Sequence, residues 1–163
     1  MKRRMPRARR GRQTGAVYVE TLIVLPIVMF MFFCTWQLMN LLSAGLLVRH
    51  AAVAAVRAAA VVGPDSARYY GGQVENDVTG GSRFDQVHEA AWRALKAQPH
   101  FKQGGFEVNL SGSFLGKGLI KATVTAEYHC LFAYVNVVCG GGTRALSATA
   151  AFPYQGAPIV WEN

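Results

Sequence analysis

The sequence predicts an α+β protein. It has a long N-terminal transmembrane and stalk helix, followed by a small extracytoplasmic domain with one helix on a three- or four-stranded antiparallel sheet. Three observations predict this class. A long apolar run follows a basic tail, one later segment carries apolar residues at helical spacing, and three segments near the C-terminus alternate apolar and polar residues.

The helix comes first. Thr21 to Val48 is a 28-residue run in which only Thr21, Thr35, Gln37, Asn40 and Ser43 are clearly polar. About 20 apolar helical residues cross a bilayer, so the run spans one with length to spare. A cleaved secretory signal has an apolar core of only about 7–15 residues before its small-residue site. The helical signal then continues through Arg49 and His50 into the Ala-rich stretch Ala51 to Val62. Gly63-Pro64 stops it, because proline cannot continue a helix. Residues 16–62 thus read as one element, about 70 Å long at 1.5 Å per residue. Its second half reads as a stalk whose Ala-rich face packs against the chain's own domain or a neighbouring helix. Pro26 lacks an N–H and its ring crowds the preceding turn, so a kink or loosening is expected near Leu22 to Pro26. It marks either a plain kink or a place where the helix repacks on leaving lipid.

Residues 63–81 are polar, with Gly71-Gly72 and Gly80-Gly81 pairs, and read as a linker. The domain follows at 82–163. Ser82-Arg83-Phe84-Asp85 supplies an N-cap and an early acid. Phe84, Val87, His88, Ala91 and Leu95 recur at helical spacing, and Pro99 closes the segment, so Ser82 to Gln98 is expected as an amphipathic helix. Three strand patterns come next. Phe106, Val108 and Leu110 form one apolar set, and Ile120, Ala122, Val124, Ala126, Tyr128 and Cys130 a second. Leu146, Ala148, Ala150 and Phe152 form the third. Period-two alternation marks strands with one buried face, and Gly116-Lys117-Gly118 reads as the turn between the first two.

Charge sets the topology. Seven of the 17 Lys and Arg residues precede Gly15, and from Ala16 onward ten basic residues face nine acidic ones. A cationic tail beside a membrane-length run stays cytoplasmic by the positive-inside rule, which sends the domain outward. Such a tail favours anionic lipid heads, and a nucleic-acid partner is not expected. In an oxidising compartment Cys130 and Cys139, nine positions apart, are expected to pair and close the Leu131–Val138 loop. The alternative is two reduced buried cysteines. That pairing would stabilise the fold by about 2–3 kcal/mol. Cys34, inside the apolar run, reads as a small buried hydrophobe.

Catalytic chemistry is not expected. The sequence holds no GxSxG, HExxH or GxxxxGK[ST] pattern, and Gly140-Gly141-Gly142-Thr143 lacks the lysine of a phosphate loop. His50, His88, His100 and His129 are scattered, with no acid or nucleophile at informative spacing. No CxxC pair suggests a metal, and no cofactor is expected.

The most telling stretch is Gly15-Ala16-Val17-Tyr18-Val19-Glu20. After Glu20 no strongly ionisable residue appears until Arg49. A lone carboxylate at the mouth of a membrane-length segment is costly to bury and asks for a partner. Glycine offers no side chain to obstruct a protease. Cleavage after Gly15 would create an amine at Ala16, about 6 Å along a helix from Glu20. This arrangement, with Thr21 to Pro26 following, resembles type IV prepilin-like proteins, and within them the TadE-like minor pilins of tight-adherence (Tad, type IVc) systems. The resemblance implies removal of residues 1–15 by a membrane prepilin peptidase. It also implies assembly with other pilins or pseudopilins on a pilus platform, with Glu20 meeting the new amine of its own or a neighbouring subunit. It further implies residence in a bacterial inner membrane with the domain periplasmic. The sequence departs from major pilins of that system in its large domain and in Thr21, where an aromatic usually follows the glutamate. The competing reading is an uncleaved bitopic envelope scaffold or binding subunit.

Overall fold

The computed structural model describes residues 14–112, 118–130 and 142–154. The basic tail, Gly116, Lys117, the Leu131–Val138 loop and Cys139 lie outside them. Helix α1 spans Thr14–Val62, 49 residues, and runs unbroken through Pro26. A single 3-10 turn follows at Ala67–Tyr70, then α2 at Gly81–Leu95. Strands β1 (Phe101–Gly112), β2 (Leu119–His129) and β3 (Thr143–Pro153) form an antiparallel sheet in the order β1-β2-β3. The α+β architecture is therefore a long apolar helix, a second helix and a three-stranded meander.

Burial divides α1 in two. Val17 to Trp36 is exposed apart from half-buried Cys34, whereas Gln37, Leu41, Ala44, Val48, Ala51, Ala52, Ala55, Val56 and Ala59 are buried. Spacings of three and four put that second set on one helical face. Alanine dominates it, and small side chains let α2 and the sheet approach the α1 backbone closely. The stalk is thus built into the core of the domain.

Helix α2 runs back along α1. Its first turn meets Val62 through Arg83, and further along Ala90 and Arg93 share a shallow groove with Ala58. Val87, Ala91 and Leu95 point into the core. The observed helix is shorter than Ser82 to Gln98 at its C-terminal end, because the chain turns at Lys96 to Gln98. Ser82 is not its N-cap. That position belongs to Gly80, and no side chain of the N-cap residue closes the helix.

The strand faces match the period-two reading. Ile120, Ala122, Val124, Ala126 and Tyr128 are buried, with Phe106 and Val108 beside them in β1. Full burial of a valine or isoleucine such as Val124 or Ile120 contributes roughly 1.5–3 kcal/mol of transfer free energy. On the outer face Thr123 meets Thr149 at 2.9 Å, and Thr125 donates to Ser147 at 3.2 Å. Such cross-strand pairs suit a solvated face.

Two irregularities shape β1. Phe101 pairs with Tyr128 but Phe106 with Ala126, so five steps of β1 oppose two of β2 and Lys102 to Gly105 bulge out. Gly104 takes a φ of 87° there, a region open to glycine. At the far end Gly112 has φ 125°, and a Cβ on it would stand 2.2 Å from the Leu119 carbonyl oxygen. Only glycine fits this close approach.

Candidate functional site: the uncovered half of α1

Val17 to Trp36 of α1 form a bare rod of largely apolar side chains. At 1.5 Å per residue this segment is about 30 Å long, close to the hydrocarbon thickness of a bilayer. Leu22, Ile23, Phe30, Met31 and Phe32 are all more than half exposed. The two threonine hydroxyls on this segment are satisfied within the helix. Thr21 Oγ1 donates to the Val17 carbonyl at 2.8 Å, and Thr35 Oγ1 to that of Met31 at 2.9 Å. Back-bonding of this kind lets threonine sit in an apolar medium without an unmet donor. Tyr18, 72% exposed, and Trp36, 52% exposed, stand near the two ends. Amphipathic rings of these types gather at membrane–water boundaries.

Glu20 is the single carboxylate on the rod and is exposed. With Thr21, Val24, Leu25 and Val28 it lines a shallow groove. Gly15 lies in the first turn of α1, exposed, with open space where a Cβ would be. Ala16 lies in the same turn, four residues before Glu20, a spacing that puts both on one helical face. Pro26 sits within this bare segment. Cys34 is a free thiol. Cys130 is half-buried and disulfide-bonded.

No family model, curated protein or solved structure matches the chain. The long helix is apolar and long enough to cross a membrane. Among the described residues no cluster of three His, Cys, Asp or Glu side chains could hold a metal.

A second arrangement, around Arg83, was not legible as a site in the sequence. Arg83 is fully buried. Its Nη1 donates to the carbonyls of Val62 and Gly63, its Nη2 to those of Asp65 at 2.8 Å and Gln73 at 3.4 Å. The guanidinium also lies 4.3 Å from the centre of the Tyr70 ring. The last carbonyls of a helix lack intrahelical donors and carry partial negative charge, so a guanidinium there answers both needs. Gln73 completes the junction. Its Oε1 accepts from the Arg83 backbone N–H at 3.2 Å, while its Nε2 donates to Asp77 O at 2.8 Å and Gly80 O at 2.6 Å. A residue ten positions upstream thus does for α2 what the glycine N-cap cannot.

The polar linker is consequently an ordered piece of structure. Asp65 accepts from the Ser66 N–H at 2.9 Å and from the Tyr70 hydroxyl at 3.2 Å. Burial raises the Tyr70 pKa above its usual value of 10, and the Asp65 hydrogen bond and charge act in the same direction. The hydroxyl and then the backbone N–H of Thr79 hold Asp77 below the usual carboxylate range.

Proposed function

We propose that this chain is a non-catalytic minor pilin or pseudopilin, TadE-like, that works by packing α1 among the helices of neighbouring subunits. It would be held in a bacterial inner membrane with its domain periplasmic, cut after Gly15 by a prepilin peptidase, and assembled into or beneath a type IVc pilus serving adhesion or secretion. The observation that carries the reading is the division of α1. One membrane thickness of helix is left bare, and its single carboxylate stands at the N-terminal end, four residues from the amine that cleavage would create. Burying an unpaired carboxylate costs several kcal/mol in apolar surroundings, so pairing with that amine would supply both register and affinity.

Intact mass and N-terminal sequencing of membrane-extracted protein test the reading. A mature chain starting at Ala16 supports it. Retention of residues 1–15 in cells that process other prepilins would sink it and leave the second reading, an uncleaved bitopic scaffold. What supports that second reading is the helical conformation of Gly15, which a peptidase would first have to unwind.

A further inference from the structure

The exposed apolar surface of α1 does not end where the domain begins. Gln37, Leu41, Ala44 and Val48 are buried on one face of the helix. Met39, Leu42 and Leu46 are 66%, 61% and 64% exposed, and steps of about 100° per residue put them on the opposite face. They continue a row that starts in the bare segment. Val28, Phe32, Thr35, Met39, Leu42 and Leu46 follow one another at steps of four and three, and all are exposed. No Asp, Glu, Lys, Arg or His occurs between Glu20 and Arg49. Arg49 and His50, both exposed, bracket the row one turn beyond Leu46.

An upright crossing does not account for this row. Val17 to Trp36 alone fills a hydrocarbon core of about 30 Å. Set upright, it would leave Met39, Leu42 and Leu46 in water, the last about 15 Å beyond Trp36 at 1.5 Å per residue. Thr21 to Leu46, from the residue after Glu20 to the end of the row, is about 39 Å long. That length fits the same core at a tilt of roughly 40°, the upper end of the range that transmembrane helices adopt. A leaning helix also keeps its underside in lipid further along its length than its upper side. The pattern therefore fixes the direction of lean. The row faces down, and the Leu41, Ala44 and Val48 face, on which the domain core packs, faces up.

We infer that α1 of the membrane-resident chain crosses obliquely, with Met39, Leu42 and Leu46 against lipid acyl chains and Arg49 and His50 at the headgroups. The inference rests on the membrane reading of α1 given above. Lipid is the occupant because the row is continuous with the bare segment on one unbroken helix and stops where charge begins. Arginine suits that boundary, since its stem lies along apolar surface while the charge stays with the headgroups. The oblique crossing also moves Trp36 off the outer boundary. It precedes Leu46 by about 15 Å of helix and so lies roughly 11 Å deeper at this tilt.

Spin labelling of the full chain in liposomes of phosphatidylcholine and phosphatidylglycerol tests this. In a Cys34→Ala background, Ile27→Cys, Leu42→Cys, Leu46→Cys and Val61→Cys are labelled singly. All four sites are exposed, and Cys130 is disulfide-bonded and takes no label. Collisions with oxygen, which concentrates among acyl chains, are compared with those of a water-soluble nickel chelate. Ile27 reports on the span and Val61 on the aqueous domain. The expected result is oxygen contact severalfold above nickel contact at Leu42 and Leu46, as at Ile27, and the reverse at Val61. On the unsubstituted chain, lipids brominated deep in the acyl chains should quench tryptophan emission, and Trp36→Phe should abolish that quenching. Nickel contact at Leu42 and Leu46 equal to that at Val61, with Ile27 in lipid and Trp36 quenched only by bromine near the headgroups, would overturn the oblique crossing and leave an upright span. Nickel contact at Ile27 would overturn the span and the inference together. Shielding of Leu42 and Leu46 from both reagents would put a neighbouring helix on the row and overturn the lipid assignment.

Discussion

The Tyr154 hydroxyl, just past the end of β3, donates to Asn76 Oδ1 at 2.7 Å across 78 positions of sequence. Asn76 is the one non-glycine residue with positive φ among those described, at 64°, and asparagine tolerates that region better than most residues. The bond closes the sheet onto the linker at the point where α1 ends. Removing the hydroxyl in Tyr154→Phe is expected to cost about 1 kcal/mol. Urea unfolding of the detergent-solubilised protein measures it, and faster hydrogen exchange at residues 74–80 should accompany the loss.

Arg83 carries a larger share. Arg83→Met removes the guanidinium donors to the Val62, Asp65 and Gln73 carbonyls and leaves that of Gly63 with the Asn76 N–H alone. A loss of roughly 3 kcal/mol or more is expected from such charge-assisted bonds. Arg83→Lys should recover only a minor part, since one ammonium cannot fork across four carbonyls. Thermal unfolding of both variants beside the parent checks this. Full stability in the lysine variant would show that charge, and not the fork, is what matters.

Tyr128 gives a pH signature. Its hydroxyl is buried without a hydrogen-bond partner among the described residues, and burial raises its pKa above 10. The folded state therefore holds the phenol proton more tightly than the unfolded chain. That contribution is fully present below the unfolded pKa of about 10 and is lost as pH rises through the folded value. Tyr128→Phe should leave stability at neutral pH unchanged or up to about 1 kcal/mol higher, because it deletes an unpaired polar atom. It should also unfold at a higher pH in an alkaline titration followed by circular dichroism. Tyr70, shifted the same way, leaves a residual alkaline transition in the variant.

On the proposed pilin reading, a change at Glu20 should separate insertion from assembly. Glu20→Leu should enter the membrane as well as the parent, since a carboxylate is the only group removed and apolar residues surround it. Co-purification with partner pilins should fall by about tenfold or more, the equivalent of roughly 1.4 kcal/mol. Unchanged co-purification and unchanged piliation would count against the charge pairing.

The sheet and the long helix were legible because each obeys one period. Ile120, Ala122, Val124, Ala126 and Tyr128 all face inward as alternation requires, and the apolar run is too long for anything but a helix of membrane length. Arg83 was not legible, because a charged residue in an amphipathic helix reads by default as solvent-facing. One signal was present: Arg83 begins the row Arg83, Val87, Ala91, Leu95, in which each residue lies four after the last, and all four are buried. The linker misled for a related reason. Its Gly pairs and polar residues look like loose chain, yet the Asp65 and Gln73 carbonyls accept from the Arg83 guanidinium, Gln73 Oε1 accepts from the Arg83 N–H, and the Asn76 N–H donates to the Gly63 carbonyl, partners far off in sequence. In β1 the Gly104-Gly105 pair lies in the bulge, and alternation that starts only at Phe106 hid both the bulge and the earlier pairing at Phe101. For Glu20 and Pro26, position in the helix could be read from sequence, whereas Gly15 was placed ahead of the helix and lies within it, and the sharp onset of burial at Gln37 could not be read because it depends on what packs against α1.

One further consequence follows from α1 being a single helix shared by the bare rod and the domain core. The two halves have a fixed angular phase. Inserting one residue between Pro26 and Gln37 would turn the domain by about 100° relative to Glu20 while lifting it only about 1.5 Å, whereas seven residues would bring it back to within roughly 20°. Whatever neighbour reads Glu20 thereby also sets the compass bearing at which the domain meets its surroundings.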